Sequence, residues 1–224
     1  MADFTHVYAA PPEGANADWT IPQNWDAFSA DDHAMWDRLF ARQSEMLPGR
    51  AADAFLRGLD VLKLSKPGIP DYRELNARLL AATGWQVVAV PGLVPDEVFF
   101  DHLARLYWYT VEFGLIAQPD GMRIYGAGIV SSYAESVFAL DDPSPNRIGF
   151  DLLRVMRTEY RIDDFQQNYF VIPSLDHLLK VTVETDFAPL YAKLEKLPDI
   201  AIADIHPDDE VITRGTQDYV KAKI

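Results

Sequence analysis

Glu112 is the residue whose type and surroundings point most directly to chemistry in this sequence. It lies within residues 106–115, where most of the other side chains are aromatic or aliphatic. Burying a carboxylate among such side chains costs several kcal/mol unless it is paired, protonated or bound to a metal ion. Two interpretations stay open: a functional carboxylate, or a structural one at the edge of an amphipathic helix or paired with an arginine such as Arg123.

A repeat of four residues places Glu112 beside a tryptophan. Ala104, Trp108 and Glu112 would share one face of a helix. Residues 126–132 carry small side chains and could approach that face closely. The two segments together predict a wall for a flat aromatic ligand. The alternative is that Trp108 is a core residue, which is the commoner role of a tryptophan.

The histidines show no pair at a spacing suited to a metal site on one helix. They are His6, His33, His102, His177 and His206. The chain has no cysteine, so histidine and carboxylate side chains are the metal ligands that it offers. The acidic stretches 31–33 and 206–210 are interpreted as solvated caps and loops. Neither a glycine-rich phosphate loop nor a nucleophile-elbow serine is present.

The charge of the chain disfavours anionic partners. The formal net charge is -14, and the 20 lysine and arginine residues are scattered along the sequence. Nucleic acid and membrane surfaces are therefore not expected as partners. Residues 79–95, the longest uncharged run, are interrupted by glycine and proline and are too short to span a bilayer. With no secretory signal at the start, we expect a cytoplasmic protein.

Hydrophobic periodicity and turn signals predict a mainly helical α+β domain with a small sheet. Residues 1–25 are expected to form a flexible arm, and residues 199–224 a peripheral tail. The predicted helices are 29–47, 51–62, 71–83, 95–114, 147–158 and 174–196. The predicted strands are 85–90, 122–125 and 168–172.

Two stretches, RLYWYTVEFGL at 105–115 and RIYGAGIVSS at 123–132, resemble the pterin-dependent aromatic amino acid hydroxylases. Within that family the chain is most similar to the bacterial phenylalanine 4-monooxygenases. The similarity extends in order over nearly the whole chain. Further matching segments are 42–43, 68–71, 83–85, 91–93 and 160–171.

The resemblance implies a hydroxylase-like catalytic domain over residues 26–198. It implies that L-phenylalanine is converted to L-tyrosine with O2, a non-haem Fe(II) and tetrahydrobiopterin, in phenylalanine catabolism. Glu112 matches the carboxylate ligand of the iron and is the expected catalytic residue. The positions that match the substrate site are Trp108, Gly128 and Ser131. The positions that match the pterin site are Gly92, Val94, Asp96, Phe99, Ala104 and Tyr107. We expect a monomer that acts on small molecules.

The sequence departs from the family between residues 91–93 and residues 107–108. The family carries a long segment there that includes both metal histidines, whereas here residues 98–104 run directly into the Tyr-Trp motif. We interpret this as an internal deletion near residues 100–106. The two family histidines are then absent, and the aromatic surface around Glu112 would lose its cover.

His102 cannot replace the missing pair from the same helix. It precedes Glu112 by ten residues, and a rise of ~1.5 Å per residue puts the two about 15 Å apart. Ligands of one ion must lie within roughly 2 Å of it. Two functions follow from the sequence: a phenylalanine 4-monooxygenase, or an inactive homologue that retains at most pterin or aromatic amino acid binding.

Overall fold

The computed structural model describes residues 13–16, 20–90 and 101–222, apart from the side chain of Asp101. The chain divides into two compact units. The first unit comprises Met1–Arg42 and Arg57–Asp101, and the second comprises Gln43–Leu56 and His102–Ile224. Most of the predicted flexible arm lies outside the described residues, so the boundaries at 25 and 198 stay predictions.

The helices before residue 90 follow local signals in the sequence. They are α1 (Ala30–Met46), α2 (Asp53–Leu62) and α3 (Tyr72–Thr83). Ser29 and Asp32 cap α1 reciprocally, because the Ser29 N–H donates to Oδ2 of Asp32 at 2.8 Å and the Asp32 N–H donates to Oγ of Ser29 at 3.2 Å. Gly84 ends α3 in the left-handed region, at a φ of 78°.

The predicted strand at 85–90 is wrong. Among the described residues, its sheet-like pairing is limited to a single bridge between Ile21 and Ala89. The side chain of Asn76 accepts from the Val87 N–H at 2.8 Å and donates to the Val87 carbonyl at 2.9 Å. Because a side chain satisfies both backbone groups of Val87, that residue does not need a neighbouring strand.

The predicted helix at 95–114 is partly described. Residues 95–100 lie outside the described part, α4 spans Asp101–Tyr107, and a π-helical turn follows over Trp108–Glu112. The later helices are α5 (Ala127–Ser131), α6 (Tyr133–Asp141), α7 (Leu152–Met156), α8 (Leu175–Glu184), α9 (Phe187–Leu194) and α10 (Asp218–Lys221). The single helix predicted at 174–196 is thus two helices, and Asp186 caps the second by accepting from the Ala188 N–H.

The second unit contains a five-stranded sheet in the order β2-β1-β4-β3-β5. The strands are β1 (Leu115–Gln118), β2 (Gly121–Ile124), β3 (Asn146–Gly149), β4 (Asn168–Ile172) and β5 (Val211–Thr213). The central strand β4 is parallel to both β1 and β3, whereas β2 and β5 are antiparallel edge strands. The small sheet beside many helices confirms the predicted α+β class. It also corrects the helix predicted at 147–158, since residues 146–149 pair with β4.

The segment that leads to Glu112 is anchored in the main apolar core of the second unit. Leu106 and Tyr109 pack there with residues of β3, α7, β4 and α9. Tyr109 is fully buried and donates its hydroxyl to the carbonyl oxygen of Glu159 at 2.6 Å. This anchoring fixes the backbone on both sides of Trp108. Among the described helices, none has the length and apolar character needed to cross a membrane.

Candidate active site

Glu112 ends the π-helical turn, and this turn decides which side chain it meets. The Phe113 N–H donates to the Trp108 carbonyl oxygen at 2.7 Å, a hydrogen bond that spans five residues rather than four. The Tyr107 hydroxyl, also five residues before its partner, donates to Oε1 of Glu112 at 2.7 Å. Isolated π-helical turns are frequent at functional sites. The π-helical turn thus places the phenol of Tyr107 against the carboxylate of Glu112.

The partner that the sequence suggested for Glu112 is wrong. Arg123 pairs with Asp120 across the turn between β1 and β2. The phenol of Tyr107 thus occupies the position that one of the two interpretations gave to an arginine. Burial, together with the hydrogen bond and charge of Glu112, raises the pKa of Tyr107 to about 12. Tyr107 therefore stays protonated at neutral pH and can donate to the carboxylate.

Two glycines allow the chain after β2 to approach Glu112. A Cβ on Gly126 would lie 2.4 Å from the Glu112 carbonyl oxygen and 2.5 Å from the Gly114 nitrogen. A Cβ on Gly128 would lie 2.9 Å from Oε2 of Glu112. All three distances are shorter than ordinary van der Waals contact, so a larger residue at either position would displace its neighbours. This confirms the prediction that residues 126–132 approach Glu112.

Three aromatic rings pack around Trp108, at the start of the π-helical turn. Trp108 stacks with Phe113 at a centroid distance of 5.6 Å and with Tyr160 at 5.4 Å, and it meets Tyr107 edge-on at 6.1 Å. Trp108 thus has the ring contacts of a core residue. Tyr107 is 39% exposed and is the ring of this cluster that is offered to solvent. A ligand that stacked on Trp108 would have to compete with the protein's own rings.

The structure brings together part of the predicted site. Tyr107, Trp108, Glu112 and Gly128 are neighbours, and Ser131 joins them indirectly because its hydroxyl donates to the Gly128 carbonyl oxygen at 2.8 Å. Ala104 is buried in α4. The other predicted pterin residues, Gly92, Val94, Asp96 and Phe99, lie outside the described part. The substrate and pterin assignments stay predictions.

Sequence reasoning missed two contacts of this site. Tyr160 lies more than fifty positions after Trp108 in the chain, and no periodicity connects the two. The hydrogen bond between Tyr107 and Glu112 was missed because an α-helix brings together side chains three or four residues apart, whereas these two are five apart. The family resemblance over residues 160–171 includes Tyr160, but it does not indicate that Tyr160 contacts Trp108.

The described residues do not form a metal centre around Glu112. Among them, no three histidine, aspartate or glutamate side chains lie close enough together to hold an ion. The Nδ1 atom of His102 lies 2.9 Å from the Met156 carbonyl oxygen, at hydrogen-bonding distance, and the ring of His177 meets Phe150 edge-on. Glu112 is thus a single candidate ligand. The described donor set does not fit an iron site of three protein ligands.

Comparison with known proteins supports the interpretation from the fold and the site. Residues 94–189 match the family described as biopterin-dependent aromatic amino acid hydroxylase. Phenylalanine-4-hydroxylase from Caulobacter vibrioides is 48% identical, and the alignment covers 95% of this chain and 94% of the relative. The Chromobacterium violaceum enzyme of the same name is 43% identical over 88% of each chain. This protein belongs to the biopterin-dependent aromatic amino acid hydroxylases.

Solved structures of the Chromobacterium violaceum phenylalanine hydroxylase have the same fold. A single-residue variant superposes with a TM-score of 0.84 at 44% identity, over 88% of this chain and 94% of that one. A structure of the same enzyme bound to cobalt gives a TM-score of 0.83 at 42% identity, over 88% and 95%. The α+β architecture is therefore that of the bacterial catalytic domain.

The alignment also shows a difference in length. It runs over 276 residues with the Caulobacter vibrioides relative, although this chain has 224 residues. The relative therefore has residues without a counterpart here, as the interpretation of an internal deletion requires. The position of that deletion near residues 100–106 stays a prediction.

Proposed function

We propose that this protein is a phenylalanine 4-monooxygenase that converts L-phenylalanine to L-tyrosine with O2 and tetrahydrobiopterin. The observation that carries the proposal is 48% identity over 95% of the chain to a relative named for this reaction. One oxygen atom enters the aromatic ring, and the pterin supplies the two electrons that reduce the other atom to water. We further propose that the protein works as a monomer in the cytoplasm, in phenylalanine catabolism.

The geometry around Glu112 supports binding of an aromatic substrate at this place. The partly exposed ring of Tyr107 offers apolar contact, and the backbone of Gly128 lies close beside the carboxylate of Glu112. We propose that Trp108, Gly128 and Ser131 contact the amino acid. For the pterin we propose Gly92, Val94, Asp96, Phe99, Ala104 and Tyr107.

Iron is the metal that the proposal assigns to Glu112. The family chemistry uses a ferrous ion, which activates O2 when bound, and a related enzyme has been solved with cobalt. In this chain Glu112 is the proposed ligand, and the described residues bring no second or third ligand to it.

The test is an assay of the purified chain with ferrous iron, tetrahydrobiopterin and phenylalanine. We expect tyrosine to form above a blank without protein, and Glu112→Gln to abolish its formation. Tyrosine formation equal to a blank without protein would refute the proposed reaction. The iron content is measured separately by elemental analysis.

A second function is binding of a pterin or an aromatic amino acid without hydroxylation. The observation that favours it is the lack of a group of three metal ligands among the described residues. Calorimetry distinguishes the two functions, because saturable heat with reduced pterin or phenylalanine in the absence of tyrosine formation supports binding alone. The identity to enzymes named as hydroxylases favours the first function.

A further inference from the structure

A groove in the second unit is bordered by three arginines that have no place in the candidate active site. Its volume is about 670 Å³, and the charged residues that line it are Arg50, Arg123, Arg147, Asp141 and Asp142. The protein as a whole carries a formal charge of -14. A groove with more cationic than anionic side chains is therefore a local exception to the charge of the chain.

Arg147 is the buried cation of this groove, with 5% of its surface exposed. Its Nε donates to the Ala139 carbonyl oxygen at 2.8 Å, and its Nη2 donates to the carbonyl oxygens of Asp142 at 2.9 Å and Phe138 at 3.4 Å. These acceptors lie at the end of α6, and a helix end carries about half a negative charge. They therefore offset only part of the charge of the guanidinium.

The third nitrogen of this guanidinium is available to a ligand. Within the described part of the chain, Nη1 of Arg147 makes no hydrogen bond, and Arg147 forms no ion pair with a carboxylate. Burial lowers the pKa of Arg147, and the nearby Tyr169, Asp142 and Asp141 offset only part of that effect, yet an arginine stays charged at neutral pH. A buried cation of this kind is stabilised by an anion.

The other two arginines hold carboxylates that are open to solvent. Arg50 pairs with Asp141 at 2.5 Å, and Arg123 pairs with Asp120, which does not line the groove. Both aspartates are more than half exposed, which weakens these ion pairs, and Arg123 also donates Nη1 to the Met122 carbonyl oxygen at 2.9 Å. The carboxylate of Asp142 accepts from the Ser144 N–H and is engaged by its own turn.

We propose that the groove binds a small oxyanion, a carboxylate or a phosphate, between Arg50, Arg123 and Arg147. Guanidinium groups match the planar or tetrahedral oxygens of these anions and form charge-assisted hydrogen bonds with them. Nη1 of Arg147 supplies the buried end of the site, and the two outer arginines close it. The site is independent of Glu112 and of the proposed reaction.

The experiment is a calorimetric titration of the intact chain with inorganic phosphate and, separately, with acetate, at constant ionic strength in chloride. Arg50→Gln and Arg123→Gln are the test variants. Arg147 is left unchanged, because its carbonyl contacts hold the end of α6. Arg161→Gln is the matched control, since Arg161 also pairs with an exposed aspartate of the second unit but does not line the groove.

We expect saturable binding of at least one anion to the unmodified chain and to the control. Each groove variant should bind it about tenfold more weakly, because a charge-assisted hydrogen bond is lost. The anion that binds more tightly identifies the source as phosphate or carboxylate. Absence of saturable heat with both anions, or equal affinity of the groove variants and the control, would overturn the proposal.

Discussion

Two glycine-to-alanine variants, with a third as a control, test how closely the chain must approach Glu112. Gly126 has an extended backbone with a φ of -69°, which any residue can adopt, so an alanine there is penalised by contact alone. The new Cβ would lie 2.4 Å from the Glu112 carbonyl oxygen, whereas ordinary contacts begin at 3.4 Å. Backbone atoms must therefore move by on the order of 1 Å.

The expected change in the free energy of unfolding differs among the three positions, because the added Cβ meets different atoms at each. Gly126→Ala meets backbone on two sides and should lower the free energy of unfolding by at least about 2 kcal/mol. Gly128→Ala meets Oε2 of Glu112 at 2.9 Å and the Glu112 carbonyl oxygen and the Phe113 ring at 3.1 Å, which are looser contacts than those at Gly126, so we expect a cost of about 1 kcal/mol. Gly58→Ala lies within α2 with open space around it and should stabilise the protein by about 1 kcal/mol.

Urea denaturation followed by circular dichroism measures all three variants against the unmodified chain. The order of stability should be Gly58→Ala, then the unmodified protein, Gly128→Ala and Gly126→Ala. A Gly126→Ala variant within about 0.5 kcal/mol of the unmodified protein would refute the close approach of this segment to Glu112. Gly58→Ala is the control for any general effect of adding a methyl group.

Three further variants probe the ionisable groups of the second unit. Glu112→Gln should lower the pKa of Tyr107 below about 12 while burial keeps it above its ordinary value of 10.0; an absorbance titration compared with Tyr107→Phe measures it, and an unchanged pKa would contradict the contact. Asp209→Asn should destabilise the protein by about 3 kcal/mol in urea denaturation, because it leaves the buried guanidinium of Arg154 without its carboxylate; a cost below about 1 kcal/mol would contradict this. Burial raises the pKa of Glu135 above its ordinary value of 4.5, so the folded state holds a proton that the unfolded state releases, and stability should fall as the pH rises from about 4.5 toward the folded pKa; Glu135→Gln should remove that slope from a series of denaturation curves.

The helices with local signals were predictable from the sequence. Ser29 with Asp32, and Asp71 with Gly84, mark the ends of α1 and α3 within a few residues of the chain. A break at Asp186 was missed because the apolar repeat continues across it and conceals the cap. Local capping chemistry can thus be read in a sequence when the hydrophobic pattern stops at the same point.

Pairing between distant segments was not predictable. The sequence predicts a helix from residue 147, yet residues 146–149 form β3 beside β4, which lies more than twenty positions later in the chain. Val87 was assigned to a strand because β-branched residues are common there, and Asn76 instead satisfies its backbone. Neither the pairing of β3 with β4 nor the contact of Asn76 with Val87 can be predicted from the residues that adjoin them in the sequence.

The candidate site was predictable only where it depends on local sequence. Glu112 stands out as a carboxylate within an apolar run, which is a local property of the sequence. Its bond with Tyr107 depends on the wider π-helical turn, and the stacking of Tyr160 on Trp108 depends on the tertiary fold. Residue type predicted the chemistry, whereas backbone geometry decided the partners.

The position of the five strands along the chain has a consequence for tolerance to changes in length. All of them lie between Leu115 and Thr213, and β4 alone joins the two halves of the sheet through parallel pairs on both sides. Residues 91–100 precede α4 and all five strands, so a change in length there alters no spacing between strands. A segment can therefore be inserted into that stretch while the sheet that follows Glu112 keeps its strand order and registers.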